Sequence, residues 1–188
     1  MSGVSIELDR WLAQPTVRTH HRRAARGADC ATLWAAASTV RVGESGLLGR
    51  LIRWRVPGTA AEQTYREMFT SAPFVALEEG EHHLLAGLCG RIWTARPSLA
   101  RLERAEDFRE WSEPGTARVL FAQWVLPTTG GCELVSEVRV DPIDRAAQLR
   151  LRGIWPLISR FQGLIGNEPL RLAAARAEAL QRAMAGRE

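Results

Sequence analysis

The chain has 188 residues, of which 46% are hydrophobic, and a formal charge of +4. That is enough for one domain, which would bury roughly 70% of its surface, and no apolar run reaches the roughly 18 residues of a membrane span. All 25 basic residues are arginine. Apart from Arg22, Arg23 and Arg26 they are dispersed, without the dense basic stripe of a nucleic-acid binder.

Residues 1–14 read as an N-terminal extension without the apolar core of a signal peptide, so a cytoplasmic location is expected. Pro15 to Arg23 reads as a strand in which Val17, Thr19 and His21 alternate with Arg18, His20 and Arg22, and Gly27 ends it. Asp29 is placed to cap a short helix carrying Cys30, Leu33, Trp34 and Ala37 on one stripe. Gly43 to Val56 reads as a second short helix, with Leu47, Leu48, Leu51 and Ile52 inward and Arg50 and Arg53 outward, stopped by Pro57-Gly58. Thr59 to Ser71 is ambiguous.

Phe74 to Leu77 and His82 to Leu88 form a hairpin pattern turning through Glu79-Gly80-Glu81. Ser98 to Pro114 is polar, with Phe108 and Trp111 as apolar anchors. Thr116 to Leu126 is a strong strand. Thr128-Thr129-Gly130-Gly131 is turn chemistry, and Glu133 to Val140 is the antiparallel partner. Its Ser136 and Val138 lie on one face, and Glu137 and Arg139 on the other.

Residues 142–185 read as a long helix with Ile143, Ala147, Ile154, Ile158, Phe161 and Ile165 on one face. Asp141 is placed to cap it. Pro156 predicts a kink near Gly153 to Pro156. Gly163, Gly166 and Pro169 predict a second weak point, after which Asn167 or Glu168 caps a segment with Leu170, Ala173, Ala177 and Leu180 inward. Glu178 and Arg182 stand as an i,i+4 pair. Arg150 falls at the buried edge of this helix, where it either snorkels or faces a wet cavity.

Antiparallel hairpins with segregated helices predict an α+β fold. Cys30, Cys89 and Cys132 have no metal-ligand spacing and read as small buried hydrophobes. No phosphate loop, dinucleotide fingerprint or nucleophile elbow occurs, so neither cofactor nor metal is expected. Glu78, Glu79, Glu81, His82 and His83 cluster, but neighbours on a strand point to opposite faces, so a solvated hairpin is the simpler reading.

The order of elements resembles the START-like (SRPBCC, helix-grip) superfamily over nearly the whole chain. The local matches are Leu33-Trp34 in the first helix, Gly90-Arg91-Ile92-Trp93, Asp107-Phe108-Arg109-Glu110-Trp111 with Pro114-Gly115-Thr116-Ala117, Ser136-Glu137-Val138-Arg139-Val140, the Trp155 segment, and Gly163-Leu164-Ile165. The resemblance implies a curved antiparallel sheet gripping the final helix, with an apolar cavity between them. Residues that would line such a cavity are Arg150, Tyr65, Trp93, Trp124, Ile154, Ile158, Phe161 and His21. The function expected is a non-enzymatic carrier or sensor of a small hydrophobic molecule. The alternatives are a polyketide cyclase- or dehydratase-like enzyme using the same cavity, and an interaction module for an anionic surface. A homodimer is allowed; nucleic acid is not an expected partner.

Overall fold

Strands β5 (Ala117–Thr128) and β6 (Gly131–Pro142) form the longest hairpin of the structure, in register from Ala117 opposite Pro142 to Thr128 opposite Gly131. The computed structural model describes residues 7–56, 58–94 and 97–186, and for 157–166 only the backbone. Around the hairpin lie α1 (Leu8–Leu12), β1 (Val17–Arg26), α2 (Cys30–Ser38), a 3-10 turn (Val42–Glu44), α3 (Gly46–Arg55), α4 (Tyr65–Phe69), β2 (Val75–Gly80), β3 (His83–Arg91), β4 (Ser98–Leu99), α5 (Ala105–Glu110) and α6 (Arg145–Ala185). The six strands make one antiparallel sheet in the order β1-β6-β5-β3-β2, with β4 paired to the end of β3. The α+β class read from the sequence is the class observed.

Both faces of this sheet carry a core. Strand alternation sends Ala25, Leu84, Leu88, Val119, Val125, Leu134 and Val140 to one side, where Leu33 and Trp34 of α2 and Leu151, Leu170, Ala173 and Ala177 of α6 complete a core. Leu85, Cys89, Leu120 and Ala122 go to the other side, under Leu8, Trp11 and Leu12 of α1 and Phe108 of α5. Two-sided burial explains the unbroken apolar run of β3, where every residue from Leu84 to Gly90 is buried. It also corrects the reading of 1–14 as an extension: α1, with Leu8, Trp11 and Leu12 at helical spacing, is a lid on the second face.

Several local signals act as expected. Gly27 takes a positive φ of 72° at the end of β1, a conformation glycine adopts without penalty. The Asp29 carboxylate accepts from the Thr32 amide at 2.7 Å and caps α2. The ambiguous Thr59 to Ser71 stretch contains α4, opened by a capping box in which Thr64 and Glu67 each accept from the other's backbone amide. The β2–β3 hairpin turns one step later than expected, at Glu81-His82, because Gly80 still pairs with His83.

The long helix differs from its sequence reading. It is capped by Asp144, whose Oδ1 accepts from the Ala147 amide at 2.7 Å and whose Oδ2 accepts from the Gly115 amide at 2.6 Å. Asp141 instead pairs with Arg118 at 2.8 Å. The helix runs on through Pro156 and Pro169 for 41 residues rather than dividing into two. Each proline removes one backbone donor, but Ala147 and Leu151 anchor one end while Leu170, Ala173 and Ala177 anchor the other. Leu180 is half exposed rather than inward. Glu178 does not pair with the Arg182 guanidinium: its Oε1 accepts from the Arg26 amide at 3.0 Å, while Arg182 Nε donates to the Glu178 backbone carbonyl.

The cysteine reading is also corrected. Cys30 at the start of α2 and Cys132 at the start of β6 are joined in a disulfide, with Cα atoms 5.3 Å apart, while Cys89 is free and buried. Burial holds the Cys89 thiol protonated, its pKa pushed up to about 12. Alkylation of the unfolded chain should therefore modify one cysteine before reduction and three after it. Three modifications without reductant would refute the pairing.

Candidate functional site

The side of the sheet that faces α6 carries a group of touching aromatic rings. Phe69 of α4 packs edge-on against Phe74, with centroids 5.2 Å apart, and lies tilted over Phe121 of β5 at 5.1 Å. Phe74 meets Phe121 edge-on at 5.4 Å, and Tyr65 reaches Phe69 at 6.4 Å. These are ordinary attractive arrangements of rings whose edges are positive and faces negative. Phe69, Leu84, Ala86, Phe121, Gln123 and Ser136 surround a small void of about 20 Å3, room for about one water molecule. The space facing the side chains of 157–166 lies outside the described residues, and so do two expected lining residues, Ile158 and Phe161.

Two buried hydroxyls stand beside this aromatic group. Tyr65 is 5% exposed and Ser45, which precedes α3, is wholly buried. The two lie close enough for the Ser45 hydroxyl to act on Tyr65, yet among the described residues neither the Tyr65 hydroxyl nor Ser45 Oγ has a partner at full hydrogen-bond geometry. Burial pushes the Tyr65 pKa up to about 12; the Ser45 hydroxyl opposes the rise and the Glu168 carboxylate of α6 adds to it. Tyr65 is therefore protonated at neutral pH and available as a donor. A buried polar group without a partner costs about 1–3 kcal/mol relative to a satisfied one, so this pair marks a place where an incoming polar atom gains.

The other expected site residues divide between the two faces. His21 lies in β1 opposite Ser136, on the α6-facing side with Val17 and Ala25. Burial, and secondarily the neighbouring His20, lowers its pKa, which leaves a neutral imidazole at pH 7. Trp93 packs half-buried against the same core, and Ile154 is half-buried on α6. Trp124 is misplaced by the sequence reading. It points to the opposite face and meets the His20 ring edge-on at 6.1 Å. Arg150 is exposed, close to the Gly115 turn, and does not enter the interior. Ser45, Phe69, Phe74 and Phe121 carry no sequence signal of a site, although strand alternation fixes Phe121 on the face of Val119 and Val125.

Trp124 belongs to a second feature, a charged cleft of about 660 Å3 between α1 and the far side of β1, β5 and β6. Its floor is an ion pair inside the protein: Glu137 is 1% exposed and Arg139 5%. Arg139 Nε donates to Glu137 Oε1 at 2.6 Å, and Arg139 Nη1 donates to both Asp9 Oδ1 and the Leu12 carbonyl at 2.6 Å. Arg18 donates to Glu137 Oε2 at 2.8 Å, with His20 Nδ1 at 3.3 Å from the same oxygen. Burial alone would raise the Glu137 pKa, but the hydrogen bonds from Arg18 and Arg139 outweigh it and hold the carboxyl below its usual value. This is the structural ion-pair arrangement that the shared strand face of Glu137 and Arg139 suggests, and it places Glu137 on the sheet face opposite α6, away from Arg150. At the β2–β3 turn His83 meets Glu78 at 3.1 Å. Among the described residues no three ligand-type side chains gather around one point.

In comparisons with known proteins, neither a family model, nor a curated protein, nor a solved structure matches this chain.

Proposed function

We propose that the protein holds a small hydrophobic molecule between α6 and the α6-facing side of the sheet, in the manner of the helix-grip proteins its sequence resembles, as a carrier or sensor rather than an enzyme. The observation that carries this reading is the unpartnered hydroxyl pair of Tyr65 and Ser45 beside the ring cluster of Tyr65, Phe69, Phe74 and Phe121. Aromatic surface supplies affinity at roughly 25 cal/mol per Å2 buried. A few polar groups fix orientation, and Tyr65, Ser45 and Gln123 are the groups in place. A cyclase or dehydratase reading would need a base within reach of the Tyr65 acid; Glu168 of α6 is a carboxylate whose charge acts on Tyr65.

Native mass spectrometry of the purified protein, compared with the same sample after denaturing extraction, is the direct test. The expected result is a discrete adduct of hydrophobic character, and a clean apo mass on protein purified without detergent would count against the reading. Tyr65→Phe sharpens it. Removing the unpartnered hydroxyl should raise the stability of the ligand-free protein by about 1 kcal/mol, while lowering adduct occupancy. A variant that is less stable and retains its adduct would mean the hydroxyl is a structural group. Among the described residues no helix is long and apolar enough to cross a membrane.

A further inference from the structure

The outward face of α3 is apolar and basic at once. Leu48 and Gly49 are buried, and Ile52 packs on the core. On the far side Leu47 and Trp54 are each 63% exposed, with half-buried Leu51 between them. Positions 47, 51 and 54 are four and three residues apart, so these side chains form one stripe along the helix. Arg50 and Arg53 are exposed on one flank of it. On the other flank Arg55 lies with its Cζ 5.4 Å from the Trp54 ring centre and donates to the carbonyls of Ile92 and Thr94. The helix contains no acidic residue. The nearest preceding acid, Glu44, is paired with Arg176 of α6 at 2.8 Å.

From this arrangement we infer that α3 is a docking face for an anionic lipid surface. Charge complementarity decides the occupant. The Glu168 carboxylate of α6 lies beside Gly46 at the start of α3, but arginines on both flanks and no acid within the helix itself oppose pairing of this face with a second copy of itself, and they favour a surface of anionic headgroups. The three apolar side chains then enter the boundary between headgroups and chains, where an indole is favoured. A solvated face would need Arg50 and Arg53 but not two large apolar side chains left mostly in water. The docking face does not depend on the ligand proposed between sheet and α6.

The test uses vesicles of phosphatidylcholine alone and of phosphatidylcholine with a quarter phosphatidylglycerol. The intact protein should sediment with the anionic vesicles, release as salt rises, and ignore the neutral ones. Removing two charges with Arg50→Gln and Arg53→Gln should weaken that partition roughly thirtyfold. Lipids brominated in the chain should quench part of the tryptophan emission. Trp54→Phe should keep binding and lose that part of the quenching, which separates insertion from charge attraction alone. All three positions lie on the surface, so circular dichroism should show unchanged folding. Failure to sediment with anionic vesicles at low salt would overturn the inference, as would binding without quenching. Salt-sensitive binding to heparin but not to vesicles would assign the face to another polyanion and would also overturn it.

Discussion

Glu137→Ala should destabilise the protein by about 3 kcal/mol, a fall in Tm of roughly 6–12 °C for a chain of this size. The reason is what it leaves behind. Arg139 is almost wholly buried and spends its Nε on Glu137. Without the carboxylate that nitrogen has no partner in the interior among the described residues, and the guanidinium keeps Asp9 and the Leu12 carbonyl, both on Nη1. Those two bonds keep the cost at the low end of the range for a broken buried pair. A buried pair is nevertheless weak evidence that charge as such stabilises a fold. Glu137→Leu combined with Arg139→Met should therefore recover most of the loss, because no unpaired charge remains in the interior and the former partners Arg18 and Asp9 are exposed to water. The pH dependence has a definite sign. The folded-state pKa of Glu137 is depressed, so its contribution is complete above the pKa of an unfolded glutamate, about 4.3. It is lost as pH falls through the lower folded value. The difference in stability between wild type and Glu137→Ala should thus be constant near neutrality and shrink in acid. A difference that grows on acidification, or a double variant as unstable as the single one, would refute this account of the pair.

The parts of the fold that sequence made legible are those governed by local chemistry. Turn residues and strict alternation specify the β5–β6 hairpin, and Asp29 specifies the start of α2. The capping box of α4 is equally local, a threonine followed three residues on by Glu67, but the helix it opens has five residues, too few for an apolar period to show. The errors fall where a local signal meets a tertiary one. Ile143 precedes α6, so a helical face drawn through it is rotated relative to the one centred on Ala147 and Leu151. That rotation carried Arg150 inward when it belongs at the exposed edge. Asp141 and Asp144 are both cap residues by type, and the position of Arg118 on the neighbouring strand decides between them. The disulfide joins residues 102 apart in sequence, a pairing that spacing alone does not determine. The face of Trp124 is not legible in its own strand, because nothing there says which side α6 will take. That choice is made by α1, whose three apolar residues claim the other side.

Phe108→Ala should cost about 4 kcal/mol, the largest effect expected of a single truncation here. Phe108 is fully buried, the only wholly buried side chain of α5, and it closes the second face of the sheet with Leu85, Cys89 and Leu120. Its ring lies directly over Gly87 of β3. A Cβ placed at Gly87 would stand 2.6 Å from Phe108 Cδ2 and 2.8 Å from Cγ, well inside van der Waals contact. Gly87 is therefore glycine because the ring occupies the volume of its missing side chain. Packing of this kind makes the two positions interdependent. Gly87→Ala alone should destabilise by about 1–3 kcal/mol through overpacking. In the Phe108→Ala background the added methyl group enters the cavity left by the ring, and the same Gly87→Ala change should become neutral or mildly stabilising. Denaturant unfolding of the four proteins gives the coupling directly. Additive losses would mean that the ring and Gly87 do not share the space, and the account of how α5 closes the second face would fail with them.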